Sequence, residues 1–201
     1  RDSLWIQGIS NSEMEVLRSL GGENTWDGTI VLNSKNARIK VLEGKINLSH
    51  IILNNVSNIV LDGSGVISCG LISGLGSIKK DGIGNLIITK TNTYFGTLTM
   101  LKGKIELAAP LFIDNGDLEL IGGVLDAKGY SIKTNGNWRN SGAEFITGQN
   151  TVIMTGENTS ILGAVKNVFY NLKIDANVHV AGDLNIKNRL LLEAYLILEK
   201  F

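Results

Sequence analysis

Apolar and polar residues alternate along most of this chain in short runs. Thr29-Ile30-Val31-Leu32, Arg38-Ile39-Lys40-Val41, Lys45-Ile46-Asn47-Leu48 and Asn58-Ile59-Val60-Leu61 are early examples. Leu86-Ile87-Ile88-Thr89, Thr97-Leu98-Thr99-Met100, Lys104-Ile105-Glu106-Leu107 and Asp117-Leu118-Glu119-Leu120 follow in the middle of the chain. Ser131-Ile132-Lys133, Thr151-Val152-Ile153-Met154, Leu172-Lys173-Ile174, Val178-His179-Val180 and Asp183-Leu184-Asn185-Ile186 continue the pattern. Period two buries one face of an extended strand and leaves the other wet, so the pattern predicts many short strands. Gly44, Gly63, Gly82, Gly103, Gly123 and other glycines sit between the runs, where sharp corners require a permissive backbone. The segment Ser12–Glu15 ahead of Val16, Leu17 and Leu20 has the form of a helix cap, but the strand reading is preferred there.

Two architectures accommodate such a string, an antiparallel sandwich and a parallel solenoid. Asp27-Gly28, Asp62-Gly63, Asp81-Gly82, Asn115-Gly116 and Asn135-Gly136 suit hairpin turns as well as solenoid corners, so local pattern does not choose between them. Quasi-repetition favours the solenoid. Val41-Leu42-Glu43-Gly44-Lys45-Ile46-Asn47-Leu48 and Met100-Leu101-Lys102-Gly103-Lys104-Ile105-Glu106-Leu107 share one plan, and stacked coils place equivalent residues above one another.

Composition narrows the picture. The 201 residues are 43% hydrophobic, enough to fill a continuous core, with 24 Gly but 1 Pro and 6% aromatic residues. Lys plus Arg and Asp plus Glu both number 19. That balance gives no electrostatic footprint for nucleic acid and does not oppose self-association. No apolar run reaches bilayer-spanning length, so no membrane insertion is expected. The lone Cys69 excludes an internal disulfide framework. No secretory leader is recognisable at Arg1, and a processed or partial chain is expected.

Residues 17–107 resemble the autotransporter-associated β-strand repeat of bacterial surface and secreted proteins. The likeness begins with Leu20-Gly21-Gly22-Glu23-Asn24-Thr25-Trp26-Asp27-Gly28-Thr29-Ile30. Gly70-Leu71-Ile72-Ser73-Gly74-Leu75-Gly76-Ser77-Ile78-Lys79-Lys80-Asp81-Gly82 and Gly84-Asn85-Leu86-Ile87-Ile88 follow. Thr91-Asn92-Thr93-Tyr94-Phe95-Gly96-Thr97-Leu98 and Lys102-Gly103-Lys104-Ile105-Glu106-Leu107 complete it. The order of these motifs carries the likeness. Residues 108–201 match less well, although Phe169-Tyr170-Asn171-Leu172-Lys173-Ile174 and Ala181-Gly182-Asp183-Leu184 resemble repeats that follow such segments in large extracellular proteins. The resemblance implies a right-handed parallel β-helix, a secreted or bacterial cell-surface location, and no catalytic residues. The expected organisation is one continuous all-β solenoid over 1–201, with less regular coils after residue 107.

A search for chemistry gives weak signals. Asp114, Asp117, Glu119 and Asp126 are the densest acidic cluster, with Lys128, Lys133 and Arg139 nearby, and paired carboxylates are what a glycosidase needs. Turn and solvated-face roles are the simpler reading of all seven. His50 and His179 lack a second ligand at useful spacing, and Gly122-Gly123-Val124-Leu125-Asp126 only faintly resembles a calcium-binding repeat. Neither cofactor nor metal is expected. Trp5, Trp26, Trp138, Tyr94 and Tyr170 are too dispersed for a sugar platform and read as anchors of coil corners.

The C-terminal residues carry more information. Across Leu190, Leu191, Leu192, Tyr195, Leu196, Ile197 and Leu198 both strand faces are apolar and no polar cap follows. Solenoid ends expose unpaired backbone, so these residues are the expected assembly contacts. The function expected from sequence is an extracellular structural or adhesive scaffold, not an enzyme, able to polymerise head-to-tail. Its partners would be further copies or a larger parent protein, with a glycan or host surface as ligand. A carbohydrate-active β-helix enzyme and a glycan-binding module are the alternatives.

Overall fold

The computed structural model describes residues 3–6, 14–54 and 58–199. Side-chain alternation becomes an inside and an outside. In Asn36–Val41, Ala37, Ile39 and Val41 are buried, while Asn36, Arg38 and Lys40 lie on the partly exposed face. Lys104–Leu107 and Thr151–Met154 repeat the pattern. The described strands pair in parallel and stack as a β-solenoid of about nine turns. With adjacent strands about 4.8 Å apart, the stack is about 43 Å tall.

Three sheets form the walls. The first contains Ser3–Ile6, the long strands Glu23–Leu32, Lys45–Leu53 and Val66–Leu75, then shorter strands ending at Glu144–Ile146. The second rises from Met14–Ser19 through Leu118–Leu120 to Leu196–Leu198 and holds ten strands among the described residues. The third begins at Leu111–Ile113 and ends at Leu184–Leu192. Met14–Ser19 is a strand, as preferred from sequence; Ser12 and Glu13 ahead of it lie outside the described residues.

Registers show how sequence makes columns. Leu98 pairs with Leu118 and Leu118 with Trp138, at steps of 20 residues. Lys45 pairs with Val66, Val66 with Asn85 and Asn85 with Lys104, so the two quasi-repeats meet the same column three coils apart. One apolar core runs from Ile6 to Val180. Cys69 is wholly buried in it, and burial pushes its thiol up to about 12.

Four of the five Asx-Gly pairs are corners between sheets and not hairpins, while Asp27-Gly28 lies within Glu23–Leu32, where the ladder shifts register. At Asp62-Gly63 the Asp62 carboxylate accepts the Gly63 N–H at 2.6 Å, and Gly63 has φ +113°. At Asn115-Gly116 the asparagine itself takes the left-handed conformation, with φ 53°.

Trp138 departs from expectation. Its side chain points inward from Trp138–Asn140 and is buried, instead of anchoring a corner. There the step lengthens: Trp138 pairs with Ile161, 23 residues on. The larger interior is filled by edge-to-face packing of Trp138 with Phe145 at 5.0 Å and with Phe169 at 4.9 Å.

Candidate functional site

The acidic cluster read from sequence is dispersed by the fold. Asp117 precedes a strand of the second sheet, whereas Asp126 ends a strand of the first. Burial alone would raise the Asp117 carboxyl. The Asn137 backbone N–H at 2.8 Å, the Arg139 guanidinium at 2.9 Å and the Asn137 amide hold it below its ordinary value. Asp126 behaves alike: burial opposes ionisation, but Lys104 at 2.9 Å and Lys128 at 3.2 Å hold its carboxyl below the ordinary value. Glu106 joins this network through Lys104 at 2.8 Å, and Glu119 accepts from the Thr99 hydroxyl at 2.9 Å. A general acid needs a raised carboxyl. Asp117 and Asp126 are shifted the opposite way, and the Asp126 carboxylate is paired with two ammonium groups. Among the described residues, no group of three or more His, Cys, Asp or Glu side chains gathers at metal-binding separation.

The histidines are apart. His50 Nε2 lies 2.9 Å from Ser73 Oγ, and burial together with the Lys90 charge lowers its pKa. His179 Nδ1 lies 3.0 Å from Glu199 on the outer face of the second sheet. The aromatic residues are dispersed as well. Trp5 is exposed in the first strand, Trp26 is half-buried near the same end, Trp138 is internal, and Tyr170 is half-buried.

Sequence reading missed Lys80. It occupies an inward position in Ile78–Lys80, between Leu61 and Met100 of the neighbouring coils, and is 1% exposed. Its ammonium donates to the Asp81 and Gly82 carbonyls at 2.8 Å each and to the Lys102 carbonyl at 3.3 Å, tying two corners together. The signal was available: in Ile78-Lys79-Lys80, alternation around a buried Ile sends the second lysine inward. Desolvation pushes Lys80 down from 10.5 to about 8, with Asp62 and Asp81 partly opposing. Between those values the unfolded chain holds the proton and the folded chain does not, so stability rises with pH. Urea denaturation should show a gain on the order of 2–3 kcal/mol from pH 7.5 to pH 10.5, which Lys80→Met removes. An equal gain in both proteins would assign the dependence to other groups.

The ends of the stack differ from its walls. Leu190 and Leu192 pair with buried Leu172 and Ile174, and Leu196 and Leu198 pair with buried Val178 and Val180. Those four leucines therefore continue inward columns, yet Leu190, Leu192 and Leu198 are 42%, 48% and 69% exposed because no described strand covers them. Leu191 and Ile197 stack on Lys173 and His179 and point outward, and Tyr195 is exposed at the turn. The fold thus gathers all seven residues singled out from sequence on the last coil. At the opposite end a cavity of about 410 Å³ opens between Leu4, Leu17, Leu20, Trp26 and Ile46. It is the mouth of the solenoid interior, where no described strand pairs below Glu23–Trp26.

Comparison with family models, with curated proteins and with solved structures finds no match to this chain.

Proposed function

We propose that this chain is a structural or adhesive scaffold of the cell surface or extracellular space, whose copies join end to end. The observation that carries the reading is the last coil. Leu190, Leu192, Leu196 and Leu198 have the spacing and direction of core residues, yet no described strand covers them. A parallel solenoid is polar along its axis. One end offers the upper edge of each sheet, the other the lower edge, with all strands running the same way. A second copy placed as the next coil would continue the ladders and cover the apolar columns with its own Leu4, Leu17 and Trp26. This contact is heterologous and need not close, so it builds a filament. The formal net charge of +0 does not oppose it. The ordered motifs of residues 17–107 support an extracellular, bacterial setting.

Sedimentation velocity at rising concentration tests this reading. Species larger than one chain are expected to accumulate, and Leu190→Asp with Leu198→Asp should return the protein to a single chain without changing its circular dichroism. A single chain at every concentration overturns end-to-end assembly, as does assembly that persists in the double variant.

A further inference from the structure

Where the long strands of the first sheet bend, two columns of residues flank the inward column of half-buried Trp26 and buried Leu48, Cys69 and Ile88. One column rises from Asp27 through Ser49 and Gly70 to Thr89; the other rises through Thr25, Asn47 and Ser68. Between them runs a groove of about 230 Å³, with Lys90 at its upper end. It crosses four coils, a length of about 14 Å at strand spacing. Gly70 opens its floor: a Cβ there would collide with the Ser49 carbonyl below, so backbone and not side chain lines that point.

The groove retains much of its hydrogen-bonding capacity. Ser49 Oγ to Asp27 and Asn47 Nδ2 to Thr25 Oγ1 are both 3.4 Å, at the long limit for such bonds. Thr89 Oγ1 donates to the Cys69 carbonyl at 2.9 Å, which leaves its lone pairs facing outward. Asp27 retains acceptor sites, Lys90 supplies three donors, and Ser68 supplies both kinds. One carboxylate and one ammonium leave the groove without net charge. A partner satisfying closely spaced donors and acceptors of both kinds, without charge of its own, is a chain of sugar hydroxyls. Strand spacing sets the repeat along which such a chain would lie.

We propose that this groove binds a neutral oligosaccharide lying parallel to the solenoid axis, with Asp27 accepting from one pair of hydroxyls and Lys90 donating to the far end. The site is on the side wall, does not involve the apolar last coil, and does not rest on end-to-end assembly. Among the described residues no aromatic side chain lines the groove, so affinity is expected in the millimolar to sub-millimolar range typical of few, water-competed hydrogen bonds.

Amide chemical shifts of the full chain, titrated with neutral gluco-, xylo-, manno- and N-acetylgluco-oligosaccharides and with oligouronates, test this. Saturable shifts at Ser49, Gly70 and Thr89 with at least one neutral series are expected. Asp27→Ala and Lys90→Ala, both exposed positions, should each weaken that binding about five- to tenfold while leaving thermal unfolding unchanged. Absence of saturable shifts with every neutral series overturns the proposal. So does binding that both variants leave intact, and so does a preference for oligouronates that only Lys90→Ala removes.

Discussion

Gly63→Ala is expected to destabilise the solenoid by about 4 kcal/mol or more, a large share of the roughly 5–15 kcal/mol by which a folded domain is ordinarily stable. Gly63 ends a strand of the second sheet at the Asp62-Gly63 corner, directly above Val41. Its φ of +113° belongs to a region essentially closed to residues with a side chain, and holding alanine there stores about 1–3 kcal/mol. The added Cβ would also overlap the Val41 carbonyl oxygen, a backbone atom that cannot swing aside. That oxygen accepts the Gly65 N–H at 3.0 Å, and the Gly63 carbonyl accepts the Gly84 N–H at 2.9 Å from the next coil. Displacing the corner therefore strains hydrogen bonds on both sides of one coil, each contributing about 1 kcal/mol. Ser64→Ala at the same corner removes only a side-chain hydrogen bond to the Leu42 carbonyl and should cost about 1 kcal/mol or less. Urea midpoints of the two variants provide the comparison. A loss below about 1 kcal/mol for Gly63→Ala would mean that the corner relaxes independently of the ladder.

This corner illustrates what could be read in the chain before its fold was known. A run such as Arg38-Ile39-Lys40-Val41 reports that one face is buried, and the burial of Ile39 and Val41 agrees. It carries no information about which strand lies alongside. Asp62-Gly63 was therefore compatible with a hairpin until the pairing of Asn36–Val41 with Asn58–Gly63 was seen to be parallel. The likeness between residues 41–48 and 100–107 was the better guide, because equal positions on a stack face equal surroundings. Strands of three residues, such as Leu111–Ile113, Val124–Asp126 and Glu144–Ile146, are too short for period two to stand out. They form the lower part of the third sheet and the upper part of the first.

The candidate sites divide along the same line. The seven C-terminal residues all lie within 190–198, and their excess of apolar side chains is a local property, so the apolar last coil was legible. The side-wall groove draws Asp27, Ser49, Ser68 and Lys90 from four coils. Each alone is an ordinary polar residue, and only stacking makes them neighbours. Asp117 and Asp126 show the converse: proximity in sequence placed them on different sheets, each with its own cations.

Trp138→Ala is expected to cost about 3–5 kcal/mol, because the site it vacates has little freedom to collapse. Walls on each side are fixed by ladders: Leu118 lies below Trp138 and Ile161 above. Phe145 and Phe169 contact the indole edge-to-face and lie 6.2 Å from each other, so removal leaves both rings facing a void. The indole also donates to the buried Asn167 Oδ1 at 3.0 Å. That amide is otherwise tied only by its Nδ2, at 3.4 Å from the Leu162 carbonyl, so alanine leaves a buried acceptor unsatisfied. Trp138→Phe separates the two effects. It keeps most of the ring packing and removes the donor, and should cost about 1–3 kcal/mol. Asn167→Ala removes the acceptor, and the Trp138→Phe, Asn167→Ala double variant should then lose less than the sum of the single losses, by about 0.5–3 kcal/mol. Urea unfolding followed by far-ultraviolet circular dichroism measures each value. Additive losses would show that the hydrogen bond contributes nothing beyond packing, and a Trp138→Ala loss below about 1 kcal/mol would show that the widened coil can close on itself without the aromatic cluster.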